Sequence, residues 1–122
     1  MTNSPKIYQA SSVANKMLEI ASERGNVLTP MQLIKLVYLA HAWMLALHRR
    51  PLAKEAVEAW KYGPVIPQLY HEIKNFRSNP VTKINCAEES FDEESQDIIQ
   101  QAYSQYGNWN GMEWNRINYA YT

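Results

Sequence analysis

One strongly apolar helix constrains the fold more than any other part of the sequence. Between Leu33 and Leu47 the only strongly polar side chains are Lys35 and His41. A helix that is apolar on nearly every face is surrounded by other elements, because a surface helix keeps a polar face toward water. We therefore expect residues 30–48 to form the central helix, with the rest of the chain packed around it. Five of its side chains are expected to be nearly fully buried, namely Leu36, Val37, Ala40, Trp43 and Met44.

Both ends of this helix carry residue types that favour helix termini. Thr29 is expected to cap the amino end, Pro30 suits the first helical position, and Gln32 can complete a capping box with Thr29. At the carboxyl end, Arg49 and Arg50 suit the negative end of the helix dipole, and a proline follows them. The sequence thus predicts the limits of the helix as well as its existence.

Apolar side chains at three- and four-residue spacing predict four further helices. Capping boxes indicate where the last two begin, namely Ser90 with Glu93 and Asn110 with Glu113. We expect one mainly α domain of about five helices over residues 1–122, with a loose arm at residues 1–9. The first of these four helices is expected to start at Ser11 or Ser12 and to end at Gly25, and the second to run from about Pro67 to Ser78. The third is expected to end at Gly107, and the fourth to start at Asn110.

A small β element is an open addition to this helical fold. Residues 55–62 are ambiguous between helix and strand, and we favour a short strand or extended segment. Gly63 and Pro64 are expected to turn the chain after it. Residues 81–85 have a strand-like composition and are the expected pairing partner of residues 56–61.

Composition and charge exclude several functional classes. Lys plus Arg number 12 and Asp plus Glu number 12, so the formal net charge is zero and we expect no tight binding of nucleic acid. The one cysteine, Cys86, cannot form an internal disulfide, which suits a reducing cytosol. The amino terminus is polar, and the apolar run at residues 36–47 is short for a bilayer. We expect a cytoplasmic protein that binds no membrane.

Catalytic and metal-binding motifs are missing from the sequence. There is no Cys-x-x-Cys, no His-Glu-x-x-His and no glycine-rich phosphate loop. His41 and His48 would lie about 10 Å apart along a helix axis, too far to share one metal ion. His71 and Glu72 are neighbours that do not face each other on a helix. We predict no catalytic residue, no metal and no cofactor, and a pocket where His41, His71 or Glu72 converge would contradict this.

Two features suggest a surface for a protein partner. Lys35 lies in the most apolar helix, where its ammonium either reaches water past the core, meets a partner or pairs with a buried acid. Trp60 and Tyr62 precede Gly63 and Pro64, and such aromatic residues suit a binding hot spot as well as a core. We expect the Lys35 side of the helix to be open and to border one patch with Tyr62 and the turn.

Two motifs in these stretches resemble a known family. Gln-Leu-x-Lys-Leu-x-Tyr at residues 32–38 is followed by Ala-Trp-x-Tyr-Gly-Pro-Val-x-Pro at residues 59–67. This pattern resembles the Panacea antitoxin domain, also called the SocA-like or phage-associated domain, over roughly residues 10–110. The sequence departs from the family pattern at Asn118 and Tyr119, which replace a Thr-His pair, and no Pro-Trp follows. The matching positions are Leu33, Lys35, Leu36, Tyr38, Trp60, Tyr62, Gly63, Pro64, Val65 and Pro67.

The resemblance implies an antitoxin that blocks a cognate toxin protein by direct binding. In the SocA-like branch it also implies an adaptor that presents the toxin to the ClpXP protease. Related proteins occur in phages and prophages, so an inhibitor of a host defence protein is the alternative, and a small enzyme is the third hypothesis. The candidate partner-binding residues are Lys35, Tyr38, Trp60, Tyr62, Gly63 and Pro64.

Overall fold

The first two helices form a hairpin with a short loop between them. The computed structural model describes residues 6–61, 63–86 and 88–107. Helix α1 spans Ala10–Glu23 and the central helix α2 spans Pro30–His48. Between them, Gly25 has a φ of +71°, a left-handed conformation that glycine adopts without strain and that commonly follows a helix. The two helices pack directly against each other.

Local interactions fix both ends of α2. The Gln32 N–H donates to Thr29 Oγ1 at 3.4 Å, and the Thr29 N–H donates to Gln32 Oε1 at 2.9 Å. The predicted capping box is therefore formed. At the other end, Arg49 has a φ of +56° and its N–H donates to the Leu45 carbonyl at 3.1 Å, which ends the helix in a left-handed residue.

The predicted two-stranded β element is present with a different partner strand. Strands β1, Glu58–Trp60, and β2, Gly63–Val65, pair antiparallel. Residues 81–85 form no strand, so their predicted pairing with residues 56–61 is wrong. A hairpin closes a much shorter loop than that pairing would. Gly63 and Pro64 also lie within β2 and not in the turn, and the φ of Gly63 is +117°.

The chain then returns across α1. Helix α3 spans Pro67–Ile73 and continues as a 3-10 turn at Lys74–Phe76. Residues 81–86 run beside α1, where Asn15 Oδ1 accepts from the Ile84 N–H at 2.9 Å and Asn15 Nδ2 donates to the Ile84 carbonyl at 2.7 Å. The buried Val81 and Ile84 side chains explain the strand-like composition, because they pack on the core without joining a sheet.

Helix α4 spans Glu93–Tyr106, and its start differs from the predicted one. Asp92 is the capping residue, and its Oδ1 accepts from the Ser95 N–H at 2.7 Å. The predicted capping box of Ser90 with Glu93 is therefore wrong, since the Asp92 carboxylate caps the first turn instead. The helix ends at Gly107 as predicted, where an added Cβ would stand 2.6 Å from the Tyr103 carbonyl oxygen.

The middle of α2 is the centre of the core, as predicted, with one exception. Four of the five residues expected to be buried there are 0% exposed: Leu36, Val37, Ala40 and Met44. Trp43 is only half-buried and packs edge-on against Tyr106, with ring centroids 5.8 Å apart. The prediction for Trp43 was wrong because a side chain of this size is rarely enclosed completely.

The segment predicted as a loose arm is packed where the structure describes it. Tyr8 is 1% exposed, and its N–H donates to the Leu52 carbonyl at 2.9 Å. The Tyr8 hydroxyl donates to Asp92 Oδ2 at 2.9 Å and accepts from the Asp92 N–H at 2.8 Å. The predicted fifth helix, from Asn110, and the departure at Asn118 and Tyr119 lie outside the described residues.

Candidate functional site

A largely apolar groove of about 530 Å³ lies between the second half of α2 and residues 51–57. We call it the His41 groove. Three large apolar side chains on it are exposed to solvent by 37% or more, namely Ile7, Leu45 and Val57. Contiguous exposed apolar surface of this kind marks interaction sites on folded proteins. The groove is lined by Ile7, Tyr38, His41, Ala42, Leu45, Pro51, Ala53, Lys54, Glu55, Ala56 and Val57.

His41 is the polar group in the wall of this groove. It is 8% exposed, and its Nδ1 accepts from the Leu52 N–H at 3.3 Å and from the Ala53 N–H at 3.1 Å. Because Nδ1 is an acceptor, the proton of the neutral ring lies on Nε2. Burial lowers the pKa of His41 and so favours this neutral form. No acceptor for Nε2–H occurs among the residues that the structure describes.

The β1–β2 hairpin presents an exposed tryptophan beside α3. Trp60 is 38% exposed and packs edge-on against Tyr70, with ring centroids 5.1 Å apart. Its Nε1–H donates to Glu58 Oε1 at 3.0 Å. Gly63 stands opposite Trp60 in the hairpin, so no cross-strand side chain packs against the indole at this position. A large aromatic side chain that is fixed by its neighbours and still partly exposed is typical of binding hot spots.

Lys35 does not reach solvent, so the predicted open edge at this residue is wrong. Lys35 is 4% exposed, and burial lowers the pKa of its ammonium group. Because almost none of its side chain is exposed, Lys35 does not act as a snorkelling lysine whose ammonium group reaches water. Lys35 is therefore a buried polar residue of the α2 core and not a border of a surface patch.

The six predicted partner-binding residues fall into separate places. Tyr38 is half-buried and lines the His41 groove, and Trp60 is on the exposed face of the hairpin. Gly63 and Pro64 are half-buried in β2. Lys35 is in the core, and Tyr62 lies outside the described residues.

Sequence reasoning missed the polar cluster that joins α4 to the end of α2. Arg50 Nε donates to Glu94 Oε1 at 2.9 Å, and Arg50 Nη2 donates to Asp92 Oδ1 at 3.1 Å. Burial alone would raise the pKa of Asp92, but the hydrogen bonds from Ser95 and Tyr8 and, to a smaller extent, the positive charge of Arg50 lower it overall. The sequence contains both partners of this cluster, because an arginine follows α2 and residues 88–97 are rich in carboxylates.

The side chains that would have supported an enzyme do not converge. His41 lines the groove, whereas His71 and Glu72 are exposed on α3 and are not part of its lining. Within the described part of the chain no group of three or more His, Cys, Asp or Glu side chains is placed to hold a metal ion. The arrangement offers apolar area and hydrogen-bonding groups, which are the requirements for binding.

Comparison with known proteins places the chain in a family. A family model described as Antitoxin SocA-like, Panacea domain, matches residues 33–120. Because this match covers most of the chain, the protein belongs to the SocA-like Panacea family of antitoxins. It is similar to Antitoxin SocA of Caulobacter vibrioides (strain NA1000 / CB15N), with 39% identity over 70 residues. That alignment covers 57% of this chain and 37% of the relative, and no solved structure matches significantly.

Helix α2 also meets the length and hydropathy expected of a membrane span. It has 19 residues and a mean hydropathy of 1.2, so it is longer than the apolar run considered from the sequence. Half of it is buried inside the fold, and the core helix of a soluble protein satisfies the same criteria. The packing of α1 and α4 against α2 accounts for its apolar composition.

Proposed function

We propose that this protein neutralises a cognate toxin by binding the toxin protein directly in the cytoplasm. Membership of an antitoxin family is the observation that carries the proposal. The similarity to Antitoxin SocA supports the same assignment, although the chain spans only 37% of the length of that relative.

The surface of the domain is suited to this task. The His41 groove and the Trp60 hairpin together offer exposed apolar and aromatic area, which carries most of the binding energy in protein interfaces. We propose Tyr38, Trp60, Gly63 and Pro64 as residues at or beside the interface, and Tyr62 on the resemblance alone. Zero net charge supports a protein partner over nucleic acid, since no excess of cations is available for phosphates.

Toxin rescue in cells tests the proposal. Each reading frame that neighbours the gene is expressed from an inducible promoter, with and without this protein, and growth is recorded. We expect one neighbour to arrest growth and this protein to restore it, and the two purified proteins to form a complex in size-exclusion chromatography. If no neighbour is toxic, or if a toxic neighbour is not neutralised, the cognate-toxin proposal fails and a host defence protein becomes the target to test.

We further propose that neutralisation includes delivery of the toxin to ClpXP. The half-life of the toxin is measured in host cells with and without ClpX, each with and without this protein. Delivery predicts a short half-life only when both ClpX and this protein are present. A half-life that does not depend on ClpX, together with restored growth, would establish sequestration as the mechanism and refute the delivery step.

A further inference from the structure

The His41 groove has the chemistry of a site for a polypeptide segment. Its walls are mainly apolar, so a ligand gains affinity by burying an apolar side chain there. His41 is more than nine-tenths buried, and its Nε2–H has no acceptor among the described residues. A buried donor without an acceptor is unfavourable, and a ligand carbonyl in the groove would remove that cost.

The backbone beside the groove points to a peptide and not to a small apolar molecule. Within the described chain, the N–H and C=O groups of Glu55, Ala56 and Val57 take part in no hydrogen bond. These residues lead directly into β1, which is paired along one edge by β2. Free backbone groups next to an unpaired strand edge form hydrogen bonds with an extended peptide.

Charge at the end of the groove indicates what the peptide carries. Partial loss of hydration raises the pKa of Glu72, and the nearby carboxylate of Glu55, which lies in the groove, raises it further. Neither carboxylate is in an ion pair within the described residues. Along the chain, the nearest cation to Glu55 is Lys54, and the nearest to Glu72 is Lys74, which is two residues away and so does not face Glu72. Glu55, Glu72 and Lys54 together are net negative, so they favour a ligand with a positive charge.

We propose that the His41 groove binds an extended segment of the protein partner. The segment places an apolar side chain against Leu45 and Val57 and accepts a hydrogen bond from His41 Nε2 on a backbone carbonyl. It directs a lysine or arginine side chain toward Glu55 and Glu72. This inference rests on the proposed function for the identity of the partner, whereas the groove itself is testable without it.

Two leucines on α2 provide a matched pair of variants. Leu45 is 45% exposed and lines the groove, and Leu47 is 64% exposed and does not. Leu45→Glu and Leu47→Glu therefore introduce the same charge on the same helix, and neither removes a core side chain. Thermal melting of both variants establishes that the fold is retained before binding is measured.

A phage-displayed library of random 12-residue peptides is the probe. Peptides are selected on the wild-type protein and counter-selected on Leu45→Glu. We expect the recovered sequences to share an apolar residue and, a few positions away, a lysine or arginine. The best peptide, made synthetically, should bind Leu45→Glu at least tenfold more weakly than wild type and Leu47→Glu within twofold of wild type.

The polar parts of the site have their own measurements. Glu72→Gln should weaken peptide binding about threefold at low salt and by less as salt is added, because the contact is a screened charge pair. In nitrogen NMR spectra, the peptide should shift the His41 Nε2 resonance. An unshifted Nε2 resonance in the bound state would refute the hydrogen bond. Unchanged peptide affinity in Glu72→Gln would refute the role of charge.

Three outcomes of the binding and association measurements would overturn the groove as the docking site. In the first, no recovered peptide distinguishes wild type from Leu45→Glu. In the second, Leu47→Glu weakens peptide binding as much as Leu45→Glu does. In the third, the wild-type protein is a dimer that Leu45→Glu converts to a monomer. The last would make a second copy of this chain the occupant. If Leu45→Glu and wild type neutralise the toxin equally, the proposed function stands and the groove proposal fails. If wild type neutralises no toxin, the proposed function fails independently of the peptide result.

Discussion

The two halves of α2 have similarly apolar sequences and different surroundings. In the first half, Leu33, Leu36 and Val37 are 0% exposed. In the second half, Leu45 and Leu47 are 45% and 64% exposed. The comparison teaches that an apolar sequence predicts that a helix is enclosed by the rest of the protein. It does not predict how much of the length of the helix is enclosed.

The difference also separates stability from binding within one helix. Leu33, Leu36 and Val37 are surrounded on all sides, so their contribution is to hold the domain together. Leu45 instead contributes to the His41 groove, where its exposed area is available to a ligand. Substitutions along α2 should therefore divide into those that unfold the protein and those that change only binding.

The largest expected effect is in the first half. Leu36→Ala removes a fully buried side chain and should lower the free energy of unfolding by about 2–5 kcal/mol, through lost burial and a residual cavity. Leu47→Ala is the matched control, and it should change the free energy by no more than about 0.5 kcal/mol. Urea denaturation measures both. Similar shifts of the two midpoints would show that the halves of α2 are not distinct.

A smaller loss is expected where the two halves meet. Trp43 is half-buried and contacts Tyr106, so Trp43→Ala should cost about 2 kcal/mol, below the range for a fully buried tryptophan. Trp43→Phe keeps an aromatic contact with Tyr106 and should recover part of the loss. A cost for Trp43→Ala greater than that of Leu36→Ala in the same urea experiment would contradict the observed exposure.

The helices were predictable because their signals are local. The capping box at Thr29 and Gln32 needs only four consecutive residues, and the bounds of α2 follow from it and from Arg49. The pairing of β1 was not predictable in this way, because Gly63 and Pro64 have low strand propensity, whereas residues 81–85 have a strand-like composition. Loop length decides between them, and it favours the hairpin.

The candidate site was predictable only in part, because burial depends on neighbours distant in sequence. The motifs identified Tyr38 and Trp60, and the structure places both at accessible surfaces. The same motifs could not show that Lys35 is enclosed. Nothing in the sequence indicated that His41 is held by hydrogen bonds, because the N–H groups that donate to it belong to Leu52 and Ala53, eleven and twelve residues away.

The pH dependence of stability sharpens the comparison at His41, near the middle of α2. Burial lowers the pKa of native His41 below its ordinary value of 6.5. Above pH 6.5 the imidazole is neutral in both states, and its contribution to stability is fully present. As the pH falls below 6.5 the unfolded chain takes up the proton first, so stability is lost until the pH passes the lowered native pKa.

NMR titration and urea denaturation together measure this effect. The His41 ring resonances should titrate below pH 6.5, and the unfolding free energy should decrease over the same range. His71→Gln is the control, because His71 is exposed and the decrease should persist in that variant. A His41 titration above pH 6.5 would mean that the second half of α2 is more hydrated than its 8% exposure at His41 implies.

The smallest expected effect lies just past the exposed end of α2. Arg49 has φ +56° and ψ +34°, a left-handed conformation that is unfavourable for a side chain with a Cβ and neutral for glycine. Arg49→Gly should raise the free energy of unfolding by about 0.5 kcal/mol, since the relief of strain slightly exceeds the added chain entropy of glycine. His48→Gly, one residue earlier and still helical, should lower it by about 1 kcal/mol. If the two substitutions change the free energy of unfolding in opposite directions, the helix ends between these residues. If both substitutions lower it, α2 continues past His48.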